Sequence, residues 1–70
     1  MVEVFKTNIQ DAQLANYIVG ELEKHFPSAS INFDLNDCDN ILRIDHSENV
    51  IDKVLLLFEN LGHFCELLVD

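Results

Sequence analysis

Three residues of this chain could share chemistry: Asp11, His46 and His63. Two imidazoles and a carboxylate suit Zn(II) or another borderline ion. No tight ligand spacing joins them, so each also has a structural reading, as a helix cap, a strand end and a surface turn. The thiols point elsewhere. Cys38 and Cys65 stand 27 positions apart with no C-x-x-C, which fits neither a zinc ribbon nor a thioredoxin-type motif. Cys38 lies between Asp37 and Asp39, an unpromising place for a nucleophile, and Cys65 has the parity of a small core residue. No Ser/His/Asp set, phosphate-cradling glycine loop or carboxylate pair is positioned by the spacing, so no enzyme and no catalytic residue is expected. No cofactor is expected either, and no metal site is favoured.

The elements that would position these residues follow from periodicity. Residues 2–9 alternate, with Val2 and Val4 on one face and Glu3, Phe5 and Thr7 on the other, which suits a half-buried strand. A helix is expected from about Asp11 to His25, its stripe made by Leu14, Ile18 and Leu22 and its end set by Phe26-Pro27-Ser28. Thr7 with Gln10 has the shape of a capping box, and Asn8 with Asp11 frames the start equally well. Residues 30–36 alternate, with Ile31, Phe33 and Leu35 inward, and 36–40 reads as a hairpin loop. A third strand, 41–46, turns Leu42 and Ile44 inward and Ile41 and Arg43 outward. A second helix over 48–61 carries Val50, Val54, Leu57 and Leu61, with Ser47 as N-cap and Gly62 as left-handed C-cap. A last strand, 63–69, puts Cys65, Leu67 and Val69 on one face and Phe64, Glu66 and Leu68 on the other.

Strand, helix, strand, strand, helix, strand is the order of the ferredoxin-like βαββαβ arrangement: α+β, a four-stranded antiparallel sheet with two helices on one face. Residues 1–70 form a single domain. Reading the crossovers as right-handed places strands one and three side by side and parallel, with strand four antiparallel beside strand one. That arrangement gathers Asp11, His46 and His63 at one end and sends the 36–40 hairpin to the other.

With that order in place, the chain resembles the heavy-metal-associated domain family, the fold of copper chaperones and metal-pump domains. Ile9 stands where that family has the Met of its M-x-C-x-x-C motif, and Asp11 and Leu14 stand at the two cysteine positions. Ile18 and Leu22 match its helix spacing, and Leu61-Gly62-His63-Phe64 is similar to its late glycine turn. The resemblance implies the fold. It does not bring the metal chemistry, because an Asp oxygen and a Leu side chain cannot replace two thiolates for a soft ion. A divergent member without the thiolate motif is expected.

The charge narrows the partners. Thirteen acidic residues against four basic ones give a net charge of −9, which opposes nucleic acid binding. No apolar run is long enough for a membrane span, and the N-terminus carries no secretory signal pattern, so a cytoplasmic protein with reduced thiols is expected. Phe5, Ile41, Phe64 and Leu68 are assigned to the open face of the sheet, with Leu56 as a separate apolar spot on the second helix. The expected function is a small interaction module, homodimeric or docked on a protein partner. The alternative is a metal-binding or metal-delivery protein using a non-cysteine site near the first strand–helix turn.

Overall fold

The computed structural model describes residues 1–69. Its elements are β1 (Val2–Thr7), α1 (Ala12–His25), β2 (Ser30–Asp34), β3 (Ile41–Asp45), α2 (Ile51–Leu61) and β4 (Cys65–Leu67). The strands form one antiparallel sheet in the order β2-β3-β1-β4, compatible with a ferredoxin-like arrangement.

One apolar core lies between the sheet and the two helices. The sheet contributes Phe5, Leu42 and Ile44, α1 contributes Ala15, Ile18 and Leu22, and α2 with its cap contributes Val50, Val54 and Phe58. Helical spacing in both helices and alternation in the strands bring these residues to one side. The inner rows are Phe33–Leu42–Phe5–Leu67 and Ile31–Ile44–Glu3 across the strands.

The caps show which local signals acted. Asp11, not Thr7, is the N-cap of α1, and its carboxylate accepts from the backbone N–H groups of Gln13 and Leu14, both at 3.3 Å. Lys24 and His25 fall in the last turn, where the helix dipole favours positive charge. α2 begins later than expected, with Val50 rather than Ser47 at the cap position, and Asn49 Oδ1 accepts from the Ile51 N–H at 2.9 Å. Gly62 ends α2 as expected, with φ 78°. The N–H of Gly62 donates to the Glu59 carbonyl and that of His63 to the Phe58 carbonyl, the paired bonds of a Schellman ending.

One expectation about direction is overturned. β1 and β3 are antiparallel, not parallel, in the register Val2↔Asp45 to Lys6↔Ile41. A helical crossover returns the chain in its original direction, so β2 runs parallel to β1, and the β2–β3 hairpin then reverses it. β3 therefore opposes β1, and the two ends of the sheet exchange their loops.

Candidate functional site

The reversal of β3 dismantles the expected metal cluster. β1 ends beside the start of β4, where Thr7 pairs with Cys65, so the Asp11 turn and the His63 turn do share an end. The 36–40 loop shares that end too, contrary to expectation: the Thr7 N–H donates to the Asp39 carbonyl at 3.2 Å, and Lys6 lies 3.6 Å from Asp39. His46 lies at the opposite end, where its N–H donates to the Met1 carbonyl at 2.9 Å. A strand of six residues separates the two ends, roughly 17 Å at the usual rise.

Each member of that set also has local work. Asp11 caps α1. Nδ1 of His46 accepts the Glu48 N–H at 2.9 Å, and its Nε2 lies 3.5 Å from the Ser28 hydroxyl. Its ring meets Phe26 edge-on, centroids 5.4 Å apart. Because a backbone N–H donates to Nδ1, that nitrogen is unprotonated and Nε2 carries the hydrogen facing Ser28. His63 is half-buried just past the Gly62 cap. Leu14, at the second cysteine position of the resembled motif, packs against the core.

Among the described residues, one group of metal-type side chains does converge: Asp37, Cys38 and Asp39, whose ligand atoms lie within 4.8 Å of one another. The group belongs to a turn. Asp37 Oδ1 accepts the Asp39 N–H at 2.8 Å, and Asn40 adopts the left-handed region at φ 48°. Exposed acidic turns of this kind are ordinary hairpin chemistry.

The thiols differ sharply. Cys65 lies on the core side of β4, and burial pushes its thiol up to about 12. Cys38 is exposed. A thiol reagent at neutral pH should therefore label one cysteine quickly and the second only when the chain unfolds, with Cys38→Ser abolishing the fast phase. Two equal fast phases would show that β4 does not protect Cys65.

The outer face of the sheet is divided. Its β2–β3 half is polar, with Ser30, Asn32, Asp34, Arg43 and Asp45, all exposed. Its β1–β4 half carries apolar Val2, Val4, Phe64 and Leu68, with the exposed cross-strand pair Lys6 and Glu66 lying between Phe64 and the other three. Phe64 is 47% exposed and Leu68 39%, as strand parity requires, and Leu68 is tied to Val4 by its N–H to the Val4 carbonyl at 2.9 Å. Two of the four expected surface residues are corrected. Phe5 is fully buried in the core, because β1 turns Phe5 and Thr7 inward and Val2 and Val4 outward. Ile41 does lie on the outer face but is only 7% exposed, flanked by its cross-strand partners Lys6 and Asp34. Val2, at 53% exposure, and half-buried Val4 are the members that sequence reasoning missed. The signal was present in the alternation itself, which separates Val2 and Val4 from Phe5.

Leu56 is exposed on α2, away from this patch, as expected. Among the described residues, no helix is long and apolar enough to cross a membrane. No family model matches the chain, and no curated protein and no solved structure matches it either.

Proposed function

We propose that this chain is a small non-enzymatic interaction module that docks a basic protein partner on the β1–β4 half of its sheet. The observation that carries the reading is the apolar set Val2, Val4 and Leu68 on one outer face, opposite the helices, with Phe64 on the same face beyond the Lys6–Glu66 pair. An apolar cluster on the surface of so small a domain favours a partner that removes it from water. The chain around it has 13 acidic and four basic residues, net charge −9. A second copy would bring together two chains of net charge −9, whereas a partner with an apolar centre and a Lys/Arg rim is attracted by that net charge.

A photo-crosslinking residue placed at position 68 identifies the partner, and the purified partner is then titrated. Phe64→Asp and Leu68→Asp should each weaken binding about tenfold or more, as loss of a buried anchor does. Binding should also weaken as salt rises, because the rim is electrostatic. Tyr17→Asp, on the exposed side of α1, is the control and should bind normally. A partner whose affinity ignores both sheet-face substitutions, or grows with salt, overturns the reading.

A further inference from the structure

We propose that the chain also pairs with a second copy of itself through the open edge of β2, making one continuous antiparallel sheet with its twofold axis at Asn32. β2 and β4 are the two edge strands of the four-stranded sheet. β4 is guarded, being three residues long with Glu66 at its centre. β2 is not: Ser30–Asp34 runs five residues in unbroken register with β3, and it has no proline, lysine or bulge. Natural sheets usually protect such an edge, because its free N–H and C=O groups template another strand.

The space beside this edge suits another strand with its own helix. An open groove of about 310 Å³ runs along it, lined by Ala12, Ala15, Asn16 and Val19 of α1 and by Ile31 and Phe33 of β2. Ile31 and Phe33 are only half-buried, so their outer flanks face the groove. The short side chains of α1 let a second α1 approach, since a twofold axis normal to the sheet sets both helices on the same side of it. Gly20, further along α1, has open space where a side chain would stand.

The order of residues in β2 selects a copy of itself as occupant. With Asn32 on the axis, Ile31 faces Phe33 on the core side, and does so twice by symmetry. Ser30 faces Asp34, so each carboxylate meets a hydroxyl. Asn32 faces its own copy, amide to amide. Apolar meets apolar, and no two like charges stand opposite each other.

The proposal uses a different surface from the docking face, and salt separates the two. Each copy carries −9, so self-pairing works against repulsion and should tighten as salt screens it. Docking of a basic partner should weaken. Sedimentation equilibrium is the measurement, at low salt and at about 1 M NaCl. The expected result is a mass rising toward twice 8.0 kDa, with a smaller Kd at high salt. Phe64→Ala, which keeps the net charge, should leave this association unchanged.

Asn32→Lys is the decisive variant. Asn32 is exposed, so the fold tolerates it. It removes one unit of net negative charge, which by itself favours association. Yet it sets two lysines face to face on the axis, and Kd should rise about fivefold. Asn32→Glu should weaken pairing likewise, and an equal mixture of the two variants should pair more tightly than either alone. A wild-type chain that stays monomeric at several hundred micromolar in high salt overturns the proposal. So does an Asn32→Lys chain that pairs as tightly as wild type, or a mixture no tighter than its components.

Discussion

Phe5→Ala should cost this protein about half of its stability or more. Phe5 sits on β1, an interior strand, between Leu42 of β3 and Leu67 of β4, and none of its surface reaches solvent. Truncating a buried phenylalanine costs about 3–5 kcal/mol, from lost transfer energy and the cavity left behind. A 70-residue domain has roughly 4–10 kcal/mol in all at the usual stability per residue. Ile44, Val54 and Phe58 of the same core are also without exposed surface, so little can collapse into the cavity. Urea denaturation with circular dichroism is the check: a midpoint lowered by about half or more, with the slope retained if the variant folds at all. Phe64→Ala is the matched control. Phe64 is 47% exposed, and its truncation should change stability by less than about 1 kcal/mol. Equal losses from the two substitutions would mean that β1 does not turn Phe5 inward.

The next largest effect belongs to Thr7, the buried polar residue at the end of β1, 3% exposed. Its hydroxyl donates to the Asn40 carbonyl at 2.7 Å and accepts the Ile9 N–H at 3.1 Å. One side chain thus fastens the 36–40 loop and the turn into α1 to the same strand end. Thr7→Val keeps the shape and removes both bonds. The Ile9 N–H is then left buried without a partner, which costs about 1–3 kcal/mol. Thr7→Ser keeps the hydroxyl and should recover most of that loss. Amide exchange gives a local readout: protection of Ile9 should drop in Thr7→Val ahead of the core strands. If Thr7→Val proves as stable as wild type, the hydroxyl is not the tie between loop and turn.

These two residues also show where the sequence was ambiguous. In Val2-Glu3-Val4-Phe5-Lys6-Thr7 both alternating sets contain apolar residues. Period-two reading separates the sets but cannot choose which faces the helices. In β2 and β3 the choice was plain, because Ile31 and Phe33 alternate with Asn32 and Asp34, and Leu42 and Ile44 with Arg43 and Asp45. Thr7 was ambiguous differently. Its position just before a helix fits a capping box, and its true partner, Asn40, lies 33 residues away.

The candidate sites divide in the same way. Asp11 was legible as one of three cap candidates, beside Thr7 and Asn8, because capping is local chemistry settled within three residues. Cys65, Phe64 and Leu68 were legible by parity along one strand. The grouping of Asp11, His46 and His63 was not, because it depended on the direction of β3. The groove along β2 was not either, since it lies between two elements that periodicity treats separately.

By itself the sequence determined the six elements, their order, the capping of α2 by Gly62, and the apolar stripes of both helices. All of these rest on interactions within a few residues, or on a period of 3.6 or 2. Only the tertiary structure decided that β3 opposes β1, that Phe5 is core and Val2 and Val4 are surface, and that His46 stands a strand's length from Asp11. The physical reason is that both faces of β1 are chemically acceptable to the strand alone. The choice is made by the helices that cover one face, and they exclude water from Phe5 and Thr7 while leaving Val2 and Val4 on the outer face.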